Sequence, residues 1–426
     1  MLEEATSPQY KASTVLIMVC IYIFLVIERP WESIRYLQGW PIERTFAIAL
    51  IIVAFINDKF RIVNSPANKW VYGLLAIHFI LAPFAFNTGD AVDQGIEYAK
   101  MVILYLLMLS VADNANSLKL LIKAYVFSTM FYVFHSINEF INGRHVWRMG
   151  ISRMIGVDST FNDPNAFGAT IVLSLPFVFV LLKTEESKKI RMLYYAYLVL
   201  SVFCVVQTGS RTSFFVMSVL GIIFTIIHLK KHFFSTLVVA GILSTIIWSA
   251  MPEEKQNRIR TLWDPSAGPA NAQASADGRM VGWEVSWRMF KQQPLTGVGA
   301  GGKNYVGYRV LHQVDDGPPS ANQSHILYGE VIAEFGLLGA VLFMGLIFSI
   351  FRCCRLTLTY LNNIGEESIF LVHLAWAILA ALLLLLIFGI GGHNFYRPMW
   401  LWLATWSGIL FNMTKVQKFT MPKPSY

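Results

Sequence analysis

Apolar residues in this chain neither alternate nor form a narrow stripe; they come in long runs that are apolar on every side. VLIMVCIYIFLVI, MVILYLLMLSV, IVLSLPFVFVLL and ILAALLLLLIFGI are the clearest. A helix of that pattern is surrounded by lipid or protein all round rather than resting one face on a soluble core. A membrane span takes roughly 17 to 25 mostly apolar residues. Twelve candidates are centred near residues 21, 50, 78, 104, 128, 174, 200, 220, 241, 338, 380 and 405. Two are weak: ERTFAIALIIVAFIN is short, and the run near residue 104 carries Glu97 and Lys100 at its entrance. Lipid offers the backbone no hydrogen bonds, so the runs must be helices or closed barrels, and they are too long for the roughly ten-residue alternation of a barrel strand. The pattern predicts an all-α polytopic membrane protein with about 12 transmembrane helices.

Composition agrees. Only 14% of the 426 residues are charged and 55% are apolar, against about 25% charged in an average soluble protein. Mean hydropathy is +0.52 over the whole chain, more than one or two anchors explain. The N-terminus MLEEATSPQYKAS lacks a basic n-region, and no small-residue cleavage box follows the first run, so it is expected to remain as the first span. Cys20, Cys204, Cys353 and Cys354 fit no CxxC or paired metal pattern and predict neither a disulfide nor a metal site.

The 34 basic and 26 acidic residues leave a net charge of +8. The basic residues lie in short clusters between apolar runs, with no continuous basic face, so they read as topology signals rather than a nucleic-acid surface. With the N-terminus cytoplasmic, the inner loops carry Lys59, Arg61 and Lys69; Lys119 and Lys123; Lys183, Lys188, Lys189 and Arg191; Lys230 and Lys231; Arg352 and Arg355; and Lys415 and Lys418. Both termini then fall inside. The boundaries expected are a nine-helix membrane region over 1–250, a large external loop with short amphipathic helices over 251–323, and a three-helix membrane region over 324–426. No internal repeat is evident, which speaks against the paired halves of many secondary transporters.

The outer face gathers the residues that can do chemistry. Arg211, in GSRTS, stands at the junction of two spans, where an arginine is costly unless it snorkels or meets an anion. Taken alone it reads as an interfacial anchor; among its neighbours it reads as an anion clamp. Arg279 opens GRMVGWEVSWRMF, whose Val281, Val285 and Arg288 follow helical spacing with Trp283 and Trp287 on a neighbouring face. A helix beginning there would offer free backbone N–H groups beside Arg279, which suits a phosphate. PLTGVGAGG follows; without GK[ST] it is no P-loop, and by itself it is a flexible turn. His325, in NQSHILYGEVIAEFG, lies where the tenth span begins, followed by Tyr328 and by Glu330 and Glu334 on another face. A lone histidine at an interface is commonly structural, but two glutamates entering an apolar helix need partners or water. Together these residues predict an externally open cavity with arginines for an anion and a neutral histidine able to take a proton. Because the guanidinium fork donates two hydrogen bonds at once, a lipid-linked diphosphate fits both halves of such a site, tail between helices and head on Arg211 and Arg279.

From Arg153 to Gly339 the chain resembles the O-antigen ligase and polymerase superfamily. The resemblance rests on RMIGVDSTFNDPNAFG, TGSR ending at Arg211, GRxxxW from Gly278, PLTGVGAGG and NQSHILYGEVIAEFGLLG, in that order around one large loop. Where relatives commonly carry HN, this chain has His325 followed by Ile326. The resemblance implies a GT-C-like, metal-independent, inverting glycosyltransferase of the bacterial inner membrane, needing no cofactor, with its site facing the periplasm. The donor it implies is an undecaprenyl-diphosphate-linked glycan; the acceptor is lipid A–core oligosaccharide for a ligase, a second repeat unit for a polymerase, or a Ser or Thr for a protein glycosyltransferase. The ligase is favoured because the compact chain shows no added acceptor-binding domain. In family terms Arg211 and Arg279 look like the arginines that hold the donor diphosphate and His325 like the histidine at the acceptor; Arg153 and Arg288 are further donor-binding candidates, and Asn165, Tyr328, Glu330 and Glu334 are secondary candidates. A polysaccharide or lipid transporter would use the same arginines without cleaving the ligand.

Overall fold

The computed structural model describes residues 11–148, 150–157, 162–261, 264–267, 270–315, 322–361 and 369–420. Its helices are α1 (Thr14–Glu28), α2 (Pro30–Ser33), α3 (Ile42–Ile56), α4 (Asn68–Ile80), α5 (Thr88–Val111), α6 (Ala115–Ile141), α7 (Pro164–Thr184), α8 (Lys188–Thr208), α9 (Arg211–Ala250), α10 (Glu253–Arg260), α11 (Ala270–Gln292), α12 (Gly302–Leu311), α13 (Leu327–Leu361), α14 (Ile369–Ile390) and α15 (Met399–Thr420). Two short strands, β1 (His145–Arg148) and β2 (Ile151–Met154), pair antiparallel between α6 and α7, so the all-α expectation misses a hairpin. Its arginines and apolar residues lie too close together to show a strand period.

Seven described helices are long and apolar enough to cross a membrane: Thr14–Ser33, Thr88–Val111, Ala115–Ile141, Pro164–Thr184, Lys188–Thr208, Leu327–Leu361 and Ile369–Ile390. The chain is a multi-pass membrane protein. The predicted spans near residues 50 and 78 are helices of 15 and 13 residues, short of the roughly 20 that a bilayer asks for. The two predicted around residues 220 and 241 are one helical segment, α9, of 40 residues. Straight, it would be about 60 Å long. Yet Arg258, eight residues beyond its end, donates from Nε to the Gly209 carbonyl at 2.7 Å, just before its start. An eight-residue tether reaches only about 28 Å, so α9 doubles back on itself and both of its ends lie at one end of the bundle.

Helix packing in lipid gains nothing from hiding apolar surface and relies on close fit and satisfied polar groups. The centre of the bundle is aromatic: Tyr125 of α6, Phe177 of α7 and Trp402 and Trp406 of α15 pack edge to face or tilted, with centroids about 5 to 6 Å apart. Around it α1 packs on α6, α7 on α14, and α13 on both α14 and α15. Outside the helices, Lys59, Asp113 and Asn64 gather at one end. The hairpin, the α8–α9 turn, α10–α12 and the α14–α15 loop gather at the other, where the functional groups meet.

α13 is two helices in one. Gly336 breaks it with φ 60° and ψ −151°. Leu337 N–H donates to Pro294 O at 2.8 Å, and Val298 and Gly299 donate to Ala333 and Glu334 carbonyls at 2.8 and 3.1 Å. The segment sequence reading took for a flexible turn is therefore laid along α13 and hydrogen-bonded to it.

Candidate functional site

A cavity of about 1050 Å³ opens at the end of the bundle where these loops collect. One wall is apolar, built from Val26, Ile27, Leu104, Leu173, Leu385, Phe388 and Trp402 of the spanning helices. The other is cationic: Arg148, Arg153, Arg211, Arg258, Arg279 and Arg288 all line it, together with His325 and His393. Among the described residues, ten arginines and lysines and five acidic residues line the cavity. Four of those acids are engaged in ion pairs: Glu97 with Lys100, Glu43 with Arg29, Asp163 with Arg148 and Asp315 with Arg309.

Local sequence explains how the arginines are held. The TGSR turn ends α8 with Gly209 in the left-handed region (φ 57°), a conformation glycine adopts at little cost. Ser210 then caps α9, accepting from Ser213 N at 3.2 Å, so Arg211 is the first residue of that helix. The last carbonyls of a helix have no partner within it, and here cations from other elements take them. Arg153 of β2 donates from Nε to Thr208 O at 2.7 Å, Arg258 of α10 to Gly209 O, and Lys255 to Gln207. Positive charge at a helix C-terminus is favourable. Arg153 reaches on from Nη2 to Asn165 Oδ1 at 3.1 Å. Asn165 is in turn fixed by Asp163, which caps α7 by accepting from Asn165 N and Ala166 N at 2.8 and 3.1 Å and also meets Arg148 at 3.2 Å. Arg211 donates to Thr261 at 3.0 Å, Arg279 to Thr212 at 3.4 Å and Arg288 to Val314 O at 3.0 Å.

These guanidiniums crowd one another. Burial first and Arg258 second push Arg153 down to about 9; burial and then Arg211 push Arg258 down to about 10. Burial and Arg211 also lower Arg279. Both stay above neutral pH, so the cluster keeps its charge and an anion placed among them would relieve both the burial and the repulsion.

The expectation that a helix begins at Gly278 is corrected. α11 starts at Ala270, so Arg279 sits more than two turns inside it and has no free N–H groups beside it. It reaches the cavity from the face that also brings Val281, Glu284, Val285 and Arg288 there, while Trp283 and Trp287 stack on each other at the exposed side. The low-complexity stretch misled because its alanines are good helix formers but give no apolar period.

His325 lies two residues before α13 with φ 50°, a conformation uncommon for residues other than glycine. Its Nδ1 lies 3.3 Å from Nδ1 of His393. Burial is the largest cause that lowers its pKa, followed by Arg148 and Arg279, with Asp163 opposing, so the ring is neutral at pH 7. Among the sequence candidates, the structure thus brings Arg153, Arg211, Arg279, Arg288, Asn165 and His325 to one cavity. Tyr328, Glu330 and Glu334 do not line it. Tyr328 donates to Leu386 O at 3.0 Å; Glu330 accepts from Phe395 N at 3.1 Å; and Glu334 accepts from Gly301 N at 2.7 Å and from the Tyr396 hydroxyl. The two glutamates find their partners in neighbouring loops.

Sequence reading missed Arg148, Arg258 and His393 as members of the site. Arg148 and Arg258 looked like any other external arginine. His393 had a signal: GGHNFYRP interrupts the most apolar part of the chain with polar groups, as functional inserts in membranes do.

Residues 196–344 match the family model described as O-antigen ligase. The match runs from within α8 into α13 and includes Arg211, Arg279 and His325, and it bears out the resemblance to the O-antigen ligase-like superfamily. No curated protein matches the chain.

Proposed function

From the O-antigen ligase match over residues 196–344 as premise, we propose that this chain transfers a glycan from undecaprenyl diphosphate to a hydroxyl of lipid A–core oligosaccharide, at a site facing the periplasm of a bacterial inner membrane. One observation carries the reading: a single cavity joins an apolar wall of spanning helices to a cluster of buried arginines and a neutral histidine. The polyprenyl tail has a surface to lie on, the diphosphate has forked donors, and the acceptor hydroxyl has a proton acceptor. A carrier that merely held an anionic lipid would have no use for that acceptor beside the arginines.

In this mechanism the acceptor oxygen attacks the anomeric carbon of the donor glycan as the bond from that carbon to the diphosphate oxygen breaks. The hydroxyl proton passes to His325, acting as general base. Negative charge gathers on the leaving diphosphate, where Arg211 and Arg279 oppose it, with Arg153, Arg258 and Arg288 supporting. A single displacement inverts the configuration at the donor carbon. The arginines supply the positive charge that a metal ion supplies elsewhere, so transfer is expected to survive EDTA.

Purified protein in lipid vesicles, given undecaprenyl-diphosphate-linked oligosaccharide, tests this directly. Lipid A–core should be glycosylated, whereas a product formed only on a second lipid-linked repeat unit would make the protein a polymerase, and modified Ser or Thr a protein glycosyltransferase. No product with any acceptor, together with movement of the donor across the bilayer, would make it a transporter. Arg211→Ala and Arg279→Ala should each weaken undecaprenyl diphosphate binding by about 1.5–3 kcal/mol, the worth of a hydrogen bond to a charged group. Lysine should recover only part, since a point charge lacks the fork. Unchanged binding in both alanine variants would refute the diphosphate assignment.

A further inference from the structure

His393 lies 68 residues beyond His325 in sequence, yet Nδ1 of one ring is 3.3 Å from Nδ1 of the other, with centroids 5.3 Å apart. Neither position is accidental, because each histidine stands on backbone pinned from several sides. On the His325 side, Ser324 is buried and its Oγ lies 3.0 Å from Ser286 Oγ of α11, while Arg309 of α12 donates to Asn322 O at 2.8 Å. On the His393 side, the α14–α15 loop is held at each following residue. Asn394 donates to Leu385 O at 3.1 Å and accepts at its carbonyl from Trp400 Nε1 at 2.9 Å. Phe395 N–H donates to Glu330, and the Tyr396 hydroxyl to Glu334. The Phe395 ring is wedged among Phe335, Phe343 and His78. The buried glutamates of α13 thus have a consequence for the cavity they do not line: they tie the loop carrying His393 to the helix that His325 begins.

Two neutral imidazoles that meet through Nδ1 can share only one proton there. If His325 carries it, Nδ1–H points at the lone pair of His393 and Nε2 of His325 is left with a free lone pair; if His393 carries it, His325 is protonated on Nε2 and cannot act as a base from that nitrogen. We propose that His393 is the positioning residue for His325: it accepts the Nδ1–H of His325, holds the ring in the tautomer whose Nε2 is free, and keeps that hydrogen bond when Nε2 takes a proton from the acceptor hydroxyl. The proton ends on His325 and nothing leaves His393, which needs only to stay neutral. Its surroundings ensure this. Though its ring is open to the cavity, the enclosing protein pushes its pKa down to about 4, with His325 and Arg397 adding to the effect and Asp163 opposing it. Burial, Arg148, Arg279 and Arg309 likewise lower the pKa of His325, against the pull of Asp163, so a second positive charge on the pair is disfavoured. A carboxylate in this place would hold the ring equally well but would cancel part of the arginine charge that the leaving diphosphate uses; a neutral imidazole does not.

The inference rests on His325 being the base, so its test separates the two. Solid-state NMR of ¹⁵N-histidine-labelled protein in phospholipid vesicles needs no substrate. His325 should show the Nδ1–H tautomer in the unaltered protein and in His393→Asn, whose amide oxygen can accept in place of Nδ1, and a mixture in His393→Ala. The Nε2–H tautomer in the unaltered protein, or the same His325 signal in the alanine variant, would overturn the proposal. In the vesicle assay, His393→Ala should lower kcat roughly a hundred-fold with donor affinity unchanged, and His393→Asn should restore a large part. Normal transfer by His393→Ala overturns it, as does a loss that asparagine leaves unrepaired. His325→Ala is run alongside: if that variant transfers normally, the base assignment fails by itself, and the tautomer measurement still decides whether His393 orients the ring.

Discussion

At the scale of single residues, basic side chains outnumber acidic ones among the described residues that line the cavity. Arg153 is almost wholly buried, and its hydrogen-bond acceptors among the described residues are one backbone carbonyl, Thr208 O, and the Asn165 side-chain amide. Such a residue is costly without an anion, which is the physical reason to read the cluster as a binding site. The same charges act on His325. Burial, Arg148, Arg279 and Arg309 lower its pKa from the ordinary 6.5, against the pull of Asp163. Transfer requires the neutral ring, so activity should hold at neutral pH and fall only as pH drops through the lowered value. The acid limb of kcat/KM against pH, which reports the free enzyme, is therefore expected below 6.5. Neutralising one of the cations, with Arg148→Gln, should move that limb upward. A limb at or above 6.5 in the unaltered protein would mean that the titrating base is not a histidine in this setting.

Among elements, the decisive ones are those that end where a side chain must be delivered. The glycine turn after α8 aims Arg211, the Asp163 cap of α7 places Asn165 and Arg148, and the break in α13 brings the 294–299 segment against the helix that follows His325. Gly336 shows why that break is specific. Its φ is 60°, and an added Cβ would come within 2.6 Å of the Leu295 carbonyl carbon and 2.7 Å of Pro294 O. Gly336→Ala should accordingly cost about 1–3 kcal/mol from the backbone conformation, with the close approach adding to it. The expected result is a lower thermal unfolding midpoint in detergent and a larger loss of transfer than of diphosphate binding, because the arginines stand on other elements. A variant as stable and active as the original would show that the 294–299 segment does not depend on this close approach.

Over the whole molecule, the groups of the site collect at one end of the bundle, and the proposed reaction requires that end to face the periplasm. Ser266 is exposed in the segment between α10 and α11, and among the cysteines Cys204, Cys353 and Cys354 are buried and Cys20 is half-buried. Ser266→Cys should therefore be labelled by a membrane-impermeant maleimide added to intact spheroplasts, well above the background of the unaltered protein. Labelling only after the membrane is broken would place the cavity on the cytoplasmic side and remove the periplasmic reaction with it.

The multi-pass helical character was legible in the sequence because lipid imposes a constraint that every residue of a span must meet, so the signal is local and repeated. Arg211 and His325 were legible for a related reason, since polar groups at the ends of apolar runs are expensive and stand out; Arg279 was legible only through the GRxxxW pattern of the external segment. Nothing local could tell that α3 and α4 are short, since hydropathy registers the length of an apolar run but not where the helix within it starts and stops. Nor could it separate Arg258 from other external arginines, or show that Glu330 and Glu334 hold loops rather than face the cavity. Those outcomes depend on which loop each side chain meets after the helices pack. His393 lies far along the chain from His325, and only the packing of α13 against α14 and α15 puts their rings together.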